Sequence, residues 1–152
     1  MTIVVDLQVA CKDNHLPVQQ QFKLWANTAL QSYNKSFELT IRLVDPSESQ
    51  QLNHQYRNKN TPTNVLSFPF DVPDGIELDL LGDLVICAEV VKQEAKQQNK
   101  LLADHWAHMV IHGCLHLLGF DHINECDADE MEKLETQLLF SLGIEDPYIE
   151  QQ

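Results

Sequence analysis

Three histidines, His112, His116 and His122, are spaced as ligands of one divalent metal ion would be. On a helix, residues four apart lie on one face about a turn from each other, so His112 and His116 can aim ring nitrogens at a common point. Gly119 follows the second histidine by three residues. Glycine there permits the positive φ that ends a helix, and the chain can then swing back to present His122 from a third direction. Three neutral imidazoles with an open fourth position describe a catalytic zinc site, one ion per chain, rather than a structural site closed by four protein ligands.

The same histidine and glycine spacing occurs in metzincin proteases. Those enzymes carry glutamate directly after the first histidine to take a proton from the zinc-bound water, whereas this chain has Gly113. Peptide cleavage would lack its usual general base, which argues against a peptidase. Cys126, four residues past His122, is either a further ligand or a free thiol.

The elements that must hold these residues alternate along the chain without linkers, repeats or low-complexity tracts. Thr2 to Val9 reads as a strand with Ile3, Val5, Leu7 and Val9 on one face. Pro17 opens a helix to about Tyr33, with Phe22, Trp25, Ala26, Ala29 and Tyr33 as inward positions. Phe37 to Val44 alternates again, and Asp45-Pro46 caps a helix running towards Arg57. Val65 to Phe70 is a short strand that Pro69 places at a sheet edge. After a loop from Asp71 to Leu81, Gly82 to Ile86 is apolar enough for a buried strand, followed by a helix from Ala88 to about Gln98.

The next helix, from about Leu102 to Leu118, carries the motif. At 100° per residue His105, His108, His112, His116 and Gly119 fall on one stripe, and the remaining surface is largely apolar. Such a helix is buried, and its polar stripe should line a cavity. Asp127-Ala-Asp-Glu130 resembles a capping box for a last helix to about Leu142, with Met131, Leu134, Leu138 and Leu142 inward. The acids Glu125, Asp127, Asp129, Glu130, Glu132 and Glu135 crowd its first half, where several favour the helix dipole.

Composition agrees with a small enzyme. At 152 residues, 43% hydrophobic and 22% charged, the chain fits a single domain over 1–152. No apolar run approaches the roughly 20 residues of a membrane span, and the N-terminus lacks the layout of a signal peptide, so the expected address is the cytoplasm. The four cysteines show no CxxC pairing, which argues against a disulfide framework. A net charge of -13 disfavours tight general binding to nucleic acid, DNA included. The chain has only two arginines, Arg42 and Arg57, and the second lies in a small basic spot, Tyr56-Arg-Asn-Lys59. That pattern predicts a particular RNA or a docking partner rather than broad affinity.

Tyr56-Arg57, then Thr61-Pro-Thr-Asn-Val-Leu-Ser-Phe-Pro69, then Gly82-Asp-Leu-Val-Ile86, and finally His112-Gly-Cys-Leu-His-Leu-Leu-Gly-Phe-Asp-His122 follow one another over nearly the whole chain. In these segments the sequence resembles the YbeY family of bacterial endoribonucleases. The resemblance implies an α+β, zincin-like single domain: a small mixed sheet flanked by helices, with a buried central metal-binding helix and zinc on His112, His116 and His122. It further implies a single-strand-specific, zinc-dependent endoribonuclease acting in ribosomal RNA maturation, notably at the 3′ end of the small-subunit RNA, and in ribosome quality control. The family's catalytic arginine corresponds to Arg57, which with His112 forms the expected catalytic pair. Asn64 departs from many relatives, which carry aspartate, so no acid or base role is assigned to it.

In the mechanism so expected, zinc either activates a water for attack on phosphorus or acts as a Lewis acid on a phosphate oxygen. Arg57 offers a planar fork of donors to the phosphate. Ser67 either touches substrate or merely faces water, Phe68 and Tyr56 either stack on bases or belong to the packing, and Asp121 either orients a histidine or caps the turn after Gly119. The alternative outside catalysis is a ribosome assembly factor whose metal is mainly structural. Expected partners are single-stranded and ribosomal RNA, and the ribosome or its proteins and assembly factors, with no membrane.

Overall fold

The computed structural model describes residues 2–71, 75, 79–120 and 125–148, and for 125 and 126 the backbone only. Four strands, β1 (Ile3–Ala10), β2 (Phe37–Val44), β3 (Val65–Pro69) and β4 (Leu80–Cys87), form one mixed sheet in the order β1-β2-β4-β3. β1 and β4 both run parallel to β2, whereas β3 is antiparallel to β4 and lies at the edge. The edge is where a strand ending in proline belongs, because proline cannot donate to a second neighbour.

Five helices surround the sheet: α1 (Gln19–Leu30), α2 (Pro46–Arg57), α3 (Ala88–Gln97), α4 (Leu102–Leu117) and α5 (Glu125–Ser141). Alternation in β2 sends Phe37, Leu39, Ile41 and Leu43 into the main core, with Ile3, Val5, Leu84, Ile86 and the apolar sides of α1 and α4. The opposite face is covered only in part, where Val44, Leu66, Val85 and Cys87 pack with Leu52 of α2. Phe22 of α1 meets Trp106 of α4 edge to face, ring centroids 5.6 Å apart, which ties the two core helices together.

α4 is the central buried helix that its composition predicts: every residue from His105 to Ile111 is buried, as are Gly113, Cys114, Leu115 and Leu117. It touches α1, α3, α5, β3 and β4. Gly113 is what allows the approach to the sheet. A Cβ at this position would lie 2.7 Å from Leu84 Cδ2 and 3.3 Å from Val65 Cγ2. The position that carries glutamate in the proteases therefore faces the sheet here, with no room for a side chain.

Several expected boundaries move. α1 begins at Gln19 rather than at Pro17, with Gln21 Oε1 accepting from Val18 N–H at 3.0 Å, and Tyr33 lies in a 3-10 turn, exposed rather than inward. Val9 is exposed, near the end of the edge strand β1. β4 starts at Leu80, inside the expected loop, since pairing with Glu38 of β2 extends it. α5 starts at Glu125, so Asp127 to Glu130 lie within its first turns rather than opening it. Among the described residues no helix is long and apolar enough to cross a membrane.

Candidate functional site

The stripe of histidines on α4 runs from a closed end to an open one. At the closed end His105, 2% exposed, bonds through Nε2 to Glu94 Oε1 of α3 at 2.9 Å. Glu94 also accepts from Asn64 Nδ2 at 3.1 and 3.2 Å, so Asn64 acts as a structural donor, in keeping with its having no acid or base role. Burial would raise the Glu94 carboxyl, but the bonds from His105 and Asn64 outweigh it and hold the group below its ordinary value.

One turn on, His108 Nε2 lies 2.8 Å from Glu135 Oε2, and His112 Nδ1 lies 2.5 Å from Glu135 Oε1. The Tyr148 hydroxyl donates to Oε2 as well. Glu135 is wholly buried, not part of the solvated acidic face that its neighbours suggest. The reason is position: Met131, Glu135 and Leu139 recur at helical spacing as the buried stripe of α5. An acid standing in an apolar stripe was the signal in the sequence that could have identified it. Burial alone would push its carboxyl up; the hydrogen bonds of His108 and His112 outweigh it and hold the group far below the usual range. For His108 burial is the larger influence and lowers its pKa, so the neutral ring with Nε2–H directed at Glu135 is the form that fits, its Nδ1 being buried without a partner.

His112 and His116 mark the open end, both half-buried, with their Nε2 atoms 3.1 Å apart. Two nitrogens bound at 2.0–2.1 Å to one tetrahedral ion would be separated by roughly 3.3 Å. The pair therefore fits a shared metal. His108, His112 and Glu135 also form a group able to hold a metal, with one potential ligand atom each within 4.8 Å of the others. α4 ends where the motif requires. Gly119 has φ +106°, and the bonds Phe120 N–H to Leu115 O at 3.1 Å and Gly119 N–H to His116 O at 3.0 Å close a Schellman turn. His122, the third expected ligand, lies outside the described residues, as do Asp121 and the side chain of Cys126.

His116 opens onto a cavity of about 580 Å³ whose walls include Tyr56, Arg57, Ser67, Phe68 and Phe120. Arg57 is delivered by the last residue of α2, which the left-handed Asn58 (φ 57°) terminates. Among the described residues Arg57 makes no ion pair or hydrogen bond, whereas Arg42 is gripped by Glu48 at 2.7 and 3.1 Å. Of the two arginines, then, only Arg57 presents its full charge to a cavity that His116 also lines. Ser67 Oγ donates to Gly113 O at 3.2 Å, tying β3 to α4 rather than simply facing water. Tyr56 is mostly exposed and packs edge to face on Phe68, centroids 5.0 Å apart.

The family model described as Endoribonuclease YbeY matches residues 8–143. The chain is 64% identical to the protein named Endoribonuclease YbeY of Colwellia psychrerythraea (strain 34H), over 99% of this chain and 100% of that protein. The solution structure of TM1509 from Thermotoga maritima superposes with a TM-score of 0.61 at 25% identity, over 88% of this chain and 86% of that one. Matched over most of its length by the family model, and from end to end by a relative of that name, the chain belongs to the YbeY family of endoribonucleases.

Proposed function

We propose that this protein cleaves single-stranded RNA in the cleft between the end of α2, the edge strand β3 and the C-terminal end of α4, using zinc held by His112, His116 and His122. One observation carries the reading: the Arg57 guanidinium, unpaired among the described residues, and an imidazole of the convergent pair line the same cavity. A divalent metal on these imidazoles would supply Lewis-acid activation at the scissile phosphate.

The chain's own residues do the rest. Arg57 extends two parallel N–H donors to the non-bridging oxygens, where they strengthen as negative charge builds in the transition state. Tyr56 and Phe68 offer aromatic surface beside Arg57 on which a base of an unpaired strand can rest. Duplex RNA hides its base faces, so this wall favours a single strand.

Family membership supports the wider reading: maturation of ribosomal RNA, notably the 3′ end of the small-subunit RNA, ribosome quality control, and work in the cytoplasm beside the ribosome, its proteins and assembly factors. The charge of -13 supports a docking partner, since the acidic body repels bare RNA everywhere but at the basic spot. The same acidity favours the second reading, an assembly factor whose metal is structural.

Cleavage of an end-labelled single-stranded RNA by the full chain, beside a folded His116→Ala variant assayed for zinc in the same preparation, tests the proposal. Cleavage by the zinc-loaded protein should vanish in the variant. Equal cleavage by both would mean a contaminating nuclease, and intact RNA with zinc-replete wild type would favour the assembly factor. Arg57→Lys should lose most of the rate, because a point charge does not replace a planar fork.

A further inference from the structure

The two nitrogens of His112 point at different partners: Nδ1 at Glu135 Oε1, 2.5 Å away, and Nε2 at His116 Nε2, 3.1 Å away. Only the second separation approaches the roughly 3.3 Å between ligand atoms on one tetrahedral ion. The contacts to Glu135 have the length of charge-assisted hydrogen bonds. His108, one turn earlier on α4, and the Tyr148 hydroxyl occupy the other oxygen, so three donors meet one wholly buried carboxylate. Tyr148 is brought there by the chain beyond α5, which turns at Gly143. Lys100 Nζ donates to Pro147 O at 3.0 Å, and Tyr148 N–H donates to Asp146 Oδ1 at 2.8 Å.

We infer that Glu135 is a positioning residue of the metal centre rather than a ligand, and that Tyr148 is a clasp through which the segment after α5 supports it. This rests on His112 and His116 being metal ligands. By accepting from Nδ1, Glu135 keeps the proton on that nitrogen, leaves the Nε2 lone pair for the metal and makes it more basic. The bond from His108 anchors the carboxylate to α4 at a second point, which fixes the angle at which the His112 ring stands. Among the described residues the Tyr148 hydroxyl reaches Glu135 Oε2 and His108 Nε2, the latter at 3.3 Å, so it acts on His112 through the carboxylate. A cluster that could be taken for a metal site in its own right is thus the support of the neighbouring one.

Zinc affinity, measured by competition with a chromogenic chelator, tests the assignment in the full chain and in Glu135→Gln, Tyr148→Phe and the double variant. Nitrogen-15 spectra of the zinc-loaded histidine rings give a second readout. Glu135→Gln should weaken zinc binding about 10- to 100-fold. Tyr148→Phe should weaken it less, and should add nothing in the Glu135→Gln background. The wild-type spectrum should place the His112 proton on Nδ1. Unchanged affinity in Glu135→Gln would overturn the inference. So would a loss as complete as that of His116→Ala, which would make Glu135 a ligand, or an equal effect of Tyr148→Phe in both backgrounds, which would remove the clasp. Where the Glu135 variant fails to fold, the wild-type spectrum and Tyr148→Phe still decide: a His112 proton on Nε2, or zinc affinity unchanged in Tyr148→Phe, overturns the inference. Because the readout is metal affinity, a zinc-loaded wild type that leaves RNA intact overturns the nuclease reading and not this one.

Discussion

His105 and His108 stand on the same stripe of the same helix as His112 and His116, yet the two pairs live in different surroundings. The first pair is buried and faces carboxylates, Glu94 from α3 and Glu135 from α5. The second is half-buried, and its outer member, His116, lines a cavity together with Arg57. Residue type is constant along the stripe; what differs is the partner that the tertiary structure brings to each position. A histidine meeting a buried carboxylate joins helices, and one meeting another imidazole beside an unpaired guanidinium is available for chemistry. Glu135 links the two regimes, since it bonds His108 with one oxygen and His112 with the other.

The contrast predicts that function and stability separate along the helix. The largest effect belongs to the open end. His116→Ala should reduce RNA cleavage to the background of the assay, while stability of the metal-free protein in urea changes by about 1 kcal/mol or less. Unfolding of the metal-free variant at much lower urea would mean that the open end is structural too.

At the closed end the order reverses in kind. Glu135→Ala strips a buried carboxylate from two imidazoles and a hydroxyl, and should cost about 3–5 kcal/mol in the metal-free protein. A loss below about 1 kcal/mol by the same urea titration would show that α4 and α5 are held by apolar contacts alone. At the boundary Gly119→Ala forces a side chain into positive φ, and should cost about 1–2 kcal/mol and loosen the turn leading to His122.

The smallest effect concerns Glu94 and is visible only in acid. Its folded-state pKa is below the ordinary 4.5, so the unfolded chain binds the proton more readily. The stabilisation is present above that ordinary value and is lost as pH falls through the lower folded one. Thermal melting followed below pH 4.5 should therefore fall more steeply in wild type than in Glu94→Gln. Parallel slopes would mean that Glu94 titrates alike folded and unfolded.

Much of this was legible in residue order. β2, α2 and α4 lie within a residue of their expected limits because each has a clean period, a turn signal at one end and, for α4, a glycine that ends it. Glu135 and Tyr148 were not legible as site residues. An acid among acids reads as solvated face, and although Met131, Glu135 and Leu139 recur at helical spacing, nothing in a local window says that this stripe rather than a neighbouring one meets α4. β4 ran further than its apolar core suggested, because pairing rather than propensity set its start.

By itself the sequence determined the metal-binding pattern, the helix and the glycine turn that carry it, the exclusion of glutamate at Gly113, and the family. These are properties of residue type and spacing, which local backbone geometry converts directly into direction. Only the tertiary structure decided that Arg57 and His116 share a cavity, that Arg42 is neutralised by Glu48, and that Glu135 and Tyr148 stand behind His112. Those depend on which elements meet in space, and that is settled by burying the apolar stripes of whole helices and strands together, a sum over the domain that no short segment contains.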